Sequence, residues 1–223
     1  MQDPKLLEAT ASEPLNLEKE YDNQESWRKD HDKLTFIICL PVSNVTNDPT
    51  IKATIADGDD RMLGDINLFL RPEDSDDDEL VTSATSSDTT LTLCGELNLM
   101  IASEENRHVG YGKAALLAFM HYILRHRSDI ASEYAAGTEE PNTPLEPNVH
   151  PRPNVPPSLA YLCAKISEEN ERSIHLFSSM GFKQHGEVSH FKEVEMRWYV
   201  NAAMIGGLPH IKKPRELRYQ LDE

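Results

Sequence analysis

Apolar side chains recur along the chain in segments whose spacing switches between helical and alternating, and that switching predicts the order of elements. Leu17, Tyr21, Gln24 and Trp27 recur at helical spacing behind Asn16, a good helix cap, with Glu18 in the first turn, so an amphipathic helix is expected over Leu17 to Lys29. Leu34 to Leu40 follows as an apolar, partly β-branched run of strand length. A polar connection with Asn47-Asp48-Pro49 and Asp57-Gly58 turn signals leads to a second strand, Met62 to Leu70, and the two read as a hairpin. Leu91 to Ala102 alternates, with Leu93, Leu97, Leu99 and Ile101 on one face and Cys94, Glu96, Asn98 and Met100 on the other. A helix apolar around most of its circumference runs from Gly112 to Arg127, and small Ala114 and Ala115 near its start suit close packing on a sheet. Leu159 to Ile166 is a further strand. Asn170 caps a helix that turns Ile174 and Phe177 inward and stops at Gly181-Phe182, before two closing strands, roughly Lys183 to Phe191 and Val194 to Val200.

Two segments break the pattern. Arg71 to Thr90 is acidic and Ser/Thr-rich, contains Asp76-Asp77-Asp78-Glu79 and has too few apolar side chains to bury, so a solvated insertion is expected. Ser128 to Pro157 holds half of the chain's 14 prolines, a density that predicts a long extended insertion. Length then bounds the organisation: 223 residues make one domain with insertions, here residues 1–203, followed by a polar tail, 204–223.

Charge and cysteine usage narrow the class of partner. The net charge of -16 argues against a nucleic-acid partner, and no basic run with interleaved aromatics offsets it. The longest apolar stretch, Ala114 to Leu124, falls well short of the ~20 residues that span a bilayer, so no membrane partner is expected. Cys39, Cys94 and Cys163 each lie in an apolar strand-like segment without a Cys-x-x-Cys pair, and the N-terminus lacks the regions of a signal peptide. The expectation is buried thiols in a reducing compartment, the cytoplasm, with the nucleus as a second option. His121, His126 and His150 lack metal-ligand spacing, and no metal is expected.

The candidate chemistry sits between the alternating run and the long helix, in Arg107-His108-Val109-Gly110-Tyr111-Gly112-Lys113. Two glycines permit a tight turn with N–H groups pointing outward, the following helix adds its positive dipole end, and Arg107 and Lys113 flank the turn with charge, which together cradle an anion. Gly110 to Ala115 also satisfies Gly-x-Gly-x-x-Ala, the dinucleotide fingerprint. The polar stretch Ser103 to Val109 separates it from the preceding strand, and no second apolar strand ending in an acid follows ~20 residues on, which argues against that reading.

Arg-x-x-Gly-x-Gly between a strand and a helix, followed by a strand, an Asn-started helix and a Gly-Phe close, resembles the GNAT superfamily of acyl-CoA-dependent N-acetyltransferases. Thr10 to Leu15, Lys33 to Ile37 and Gly64 to Leu70 resemble its N-acetyltransferase 9-like branch. The resemblance implies an α/β fold, a twisted mixed sheet flanked by helices, here without the strand and helix with which such folds normally start. It also implies acetyl-CoA as cosubstrate and an amine acceptor, with the acidic surface favouring a basic protein or peptide.

Under that resemblance Arg107, His108, Val109, Gly110, Tyr111, Gly112 and Lys113 wrap the coenzyme A pyrophosphate, and Asn170 and Ser173 contact the cosubstrate from the next helix. A backbone N–H within Leu99, Met100, Ile101 and Ala102 polarises the thioester carbonyl. Glu96, with Asn98 on the same side, is the candidate base. The family's usual tyrosine acid is replaced by Phe177 in Leu176 to Phe182, so no acid is assigned. That departure motivates an alternative, a non-catalytic acyl-CoA-binding or scaffold protein of the same fold.

Overall fold

The computed structural model describes residues 14–42, 50–73, 91–137, 157–200 and 214–221. Along the chain run α1 (Leu17–Lys29), β1 (Lys33–Cys39), β2 (Thr50–Lys52), β3 (Met62–Pro72), β4 (Thr92–Ile101), α2 (Tyr111–Gly137), β5 (Ser158–Ser167), α3 (Glu171–Ser179), β6 (Lys183–His185), β7 (Glu193–Tyr199) and β8 (Arg218–Gln220). The main sheet has the order β1-β3-β4-β5-β7-β6, with β2 and β8 forming a separate pair. Its one parallel pair, β4 with β5, needs a crossover, and α2 supplies it.

The predicted hairpin forms in a register that keeps apolar partners together, Leu34 opposite Leu68 and Phe36 opposite Ile66. Alternation then sends Ile66, Leu68, Leu93, Leu97, Leu162, Ala164, Met196 and Trp198 to one face, where Leu116, Phe119, Met120 and Ile123 of α2 and Phe177 of α3 cover them. Each such Leu, Ile or Phe contributes about 1.5–3 kcal/mol by leaving water. The other face is more polar. There Arg197, bound to Glu195 at 2.5 Å, lies 4.4 Å over the Tyr161 ring beside buried Cys94 and Cys163. Lys33 extends from β1 toward Ser26 and Asp30 at the end of α1.

Several expectations need correction. α2 continues to Gly137 although Ser128 to Pro157 was expected to be extended, because the first proline of that segment is Pro141 and Ala131 and Tyr134 are buried in the core. The prolines from Pro141 to Pro156 fall outside the described residues. Arg71 and Pro72, expected in the acidic loop, are the last residues of β3, opposite Cys94 and Leu93; 74–90 lies outside the description. The first closing strand ends at His185, where Gly186 turns the chain at φ 69. The tail is not merely polar: Arg218–Gln220 pairs in parallel with β2, anchored by the Tyr219 hydroxyl donating to Asp57 at 2.5 Å. α1 has the expected bounds and its Asn16 cap, yet Leu17 and Tyr21 are exposed at 66% and 62%, so its apolar spacing does not serve the core.

Candidate active site

β4 and β5 share rungs only from Thr92 opposite Ser158 to Glu96 opposite Cys163. Beyond that each stays with its outer neighbour, β4 with β3 as far as Ile101 opposite Gly64, and β5 with β7 as far as Ser167 opposite Glu193. The sheet therefore splits into a cleft whose walls are the last residues of two parallel strands. Antiparallel ladders alternate the direction of their polar groups, and the bonds Glu73 N–H to Thr92 O and Ala102 N–H to Leu63 O assign the even positions of β4 to β3. Leu99 and Ile101 consequently point their N–H groups into the cleft. Of the four residues expected to polarise a carbonyl, Met100 and Ala102 direct theirs to β3 instead.

At the open end of the cleft the chain makes its glycine turn. Gly110 has φ 100 and nothing within 4 Å of where a Cβ would stand, and His108 also has positive φ, 64. A Cβ on Gly112 would face Leu99 and Leu176 at 3.6 and 3.9 Å, so its absence keeps a gap between β4 and α3. The first helical bond of α2 is Ala114 N–H to Gly110 O at 3.0 Å; the N–H groups of His108, Val109, Gly110, Tyr111, Gly112 and Lys113 have no partner among the described residues. Unpartnered, outward N–H groups at a helix start fit a pyrophosphate.

The flanking cations divide their work. Arg107 donates through Nε to Ile101 O at 2.9 Å and through Nη2 to Ala102 O at 2.8 Å, so its guanidinium ties the turn to the end of β4 rather than standing clear as a charge. Lys113 is exposed. Arg172, in the first turn of α3, reaches across to His108, Nη1 to Nε2 2.9 Å, and brings a cation to the turn that the sequence reading did not single out. Its only sequence signal was its place two residues after the helix cap.

Asn170 is the cap of α3, its Oδ1 accepting from Ser173 N–H at 3.1 Å, while its side-chain amide N–H groups have no partner among the described residues. Ser173 is half-buried beside it. Phe177 is 4% exposed and packs edge-on against Phe182, so it belongs to the core.

On the polar face, Glu96 stands at the last shared rung, its Oε2 3.7 Å from Lys165 Nζ. Beside it the Cys163 thiol is pushed up to about 12, first by burial and then by the Glu96 carboxylate, so it stays protonated and non-nucleophilic near neutral pH. Asn98 is exposed, opposite Asn67, which accepts from Thr35 at 2.7 Å and donates to Asp65 at 2.6 Å. Asp65, opposite Met100, is a second carboxyl near the cleft, held above its ordinary range by burial although the Asn67 hydrogen bond opposes the shift. Its polar-face position was implicit in the alternation of β3. Among the described residues no group of three ligating side chains could hold a metal, and no helix is long and apolar enough to cross a membrane. His150 lies outside them.

The chain matches the family model described as the acetyltransferase (GNAT) domain over residues 1–183. It is 34% identical to an N-acetyltransferase 9-like protein of Schizosaccharomyces pombe, across 88% of this chain and 83% of that one. Against the N-acetyltransferase 9-like protein of Dictyostelium discoideum the identity is 31%, over 87% and 71%. Against the Homo sapiens α/β-tubulin-N-acetyltransferase 9 it is 33%, over 90% and 72%. The chain belongs to the GNAT acetyltransferase family, in the N-acetyltransferase 9-like group, and is an acetyl-CoA-dependent N-acetyltransferase.

Proposed function

We propose that the acceptor is an amino group of a protein, with α/β-tubulin the first candidate, and that Glu96 takes its proton. The observation that carries the site assignment is the parting of β4 from β5 just after Glu96, which leaves a carboxylate on the last shared rung, ahead of the Leu99 N–H that turns into the cleft. When bound, acetyl-CoA supplies an activated acyl group as a thioester. The turn from His108 to Lys113, with Arg172 and the Asn170 amide, holds its phosphates and pantetheine arm. The Leu99 N–H, the first beyond Glu96 to face the cleft, stabilises negative charge on the acyl oxygen, and a fixed donor needs no reorganisation to do so. Glu96 accepts the amine's proton directly or through a water, and Asn98 lines the acceptor's approach on the same face. With Phe177 in the core, solvent protonates the leaving sulfur.

The tubulin acceptor is supported by the name of the human relative, and the overall charge of -16 favours amines carried on locally basic segments. Three free thiols, two of them buried, support a reducing compartment, which we take to be the cytoplasm.

The test is thiol release from acetyl-CoA by the purified chain with α/β-tubulin, a basic peptide pool or a polyamine, combined with mass mapping of the product. The expected result is acetylation of tubulin, and Glu96→Gln lowers kcat about 100-fold with acetyl-CoA affinity retained. Acetyl-CoA binding without transfer to any of these amines contradicts the assignment.

A further inference from the structure

Lys165 stands on the wall of the cleft with no part in the chemistry described so far. It lies on β5 two residues past Cys163, the last partner of β4, so continuing the parallel register across the gap sets it level with Asn98 and next to Leu99. Alternation puts its side chain on the Glu96 face, the face at which an acceptor amine meets its base. Its Nζ is 3.7 Å from Glu96 Oε2, and the side chain is 42% exposed, accessible to a bound molecule. The carboxylate opposite it on β7, Glu195, is bound by Arg197 at 2.5 Å. The Lys165 ammonium is therefore drawn toward Glu96. A primary amine, a base and an N–H donor aimed into the cleft thus meet in one place, as acetyl transfer to nitrogen requires.

We propose that Lys165 is itself an acceptor, and that the protein acetylates its own Lys165 Nζ when no other amine fills the cleft. This rests on the reading of Glu96 as base. Glu96 takes a proton from the ammonium, and the nitrogen lone pair forms a bond to the acyl carbon. The carbon–sulfur bond then breaks and sulfur leaves with the electron pair. Of the two protons the nitrogen loses, one ends on the coenzyme A thiol and the other in solvent. The product is a neutral amide, so the ion pair with Glu96 disappears. The acylated side chain also narrows the cleft mouth, which makes the modification a brake on entry of other acceptors.

The experiment incubates the full chain with isotope-labelled acetyl-CoA and no acceptor, then follows each lysine by peptide mass spectrometry at two protein concentrations. Lys165 is expected to gain acetyl at a rate independent of protein concentration, and about tenfold or more faster than exposed Lys29, Lys183 and Lys192, because it is held beside the reacting group. Glu96→Gln is expected to slow Lys165 about 100-fold and leave those three unchanged. Lys165→Arg keeps the cation and abolishes the fast mass gain. If Lys165 is modified no faster than the other lysines in a preparation that acetylates an added amine, Lys165 is only a counter-ion and the proposal is overturned. If acetyl-CoA binds and neither Lys165 nor any added amine is acetylated, the reading of Glu96 falls with it.

Discussion

Two helices start at the carboxyl ends of the strands that form the cleft, and they start in opposite ways. α3 is capped: Asn170 Oδ1 receives Ser173 N–H, and a bond from Asn170 N–H to Ser167 O closes the turn behind it. α2 opens through a turn with two positive φ values and keeps the N–H groups from His108 to Lys113 without partners among the described residues. Four free N–H groups at a helix start are normally a cost that a side chain offsets. Leaving them open beside Arg172 and Lys113 makes sense where an anionic ligand completes them. α3 contributes instead a fixed edge, from which Arg172 and the Asn170 amide reach toward the same place.

The open turn is most vulnerable at Gly112. Gly112→Leu fills the gap toward Leu99 and Leu176 and displaces the turn. Losing more than one charge-assisted bond, each about 1.5–3 kcal/mol, is expected to weaken acetyl-CoA binding about 100-fold or more by calorimetry.

At Asn170 the cap and ligand roles separate chemically. Asn170→Ala is expected to cost about 1 kcal/mol of stability in denaturant unfolding through loss of the cap. Asn170→Asp keeps the accepting oxygen and removes the amide donor. It is expected to hold stability and to weaken acetyl-CoA binding about tenfold, since a carboxylate then faces the ligand's phosphates.

The smallest effect concerns the carboxyl near the cleft. Burial raises the Asp65 pKa, so its ionised form is disfavoured in the folded state. The stability tied to its protonated form is fully present below the ordinary Asp range near 3.8 and is lost as pH rises through the higher folded value. Asp65→Asn, which can still accept from Asn67, is therefore expected to raise Tm at pH 7. The gain should shrink toward zero as pH falls below 4 in a thermal series.

Much of this was legible in the chain itself. The period-two runs of β1, β3, β4 and β5 and the Asn16 and Asn170 caps gave elements close to those observed, because each signal is local. The helix beyond Arg127 was not, since nearby prolines obscured the burial of Ala131 and Tyr134, which depends on tertiary packing. Among site residues, the glycine turn was readable from spacing. The turned-back guanidinium of Arg107, the reach of Arg172 to His108 and the nearness of Lys165 to Glu96 were not, as each joins elements whose separation only the register of β4 and β5 sets.

Completion of the uncapped start of α2 by the phosphates of coenzyme A is tested by amide hydrogen exchange with and without coenzyme A. Protection is expected to rise at His108 to Lys113 and at Leu99 and Ile101, with little change at Ser173, whose N–H is already bonded. Saturating coenzyme A that leaves exchange at His108 to Lys113 unchanged would contradict it.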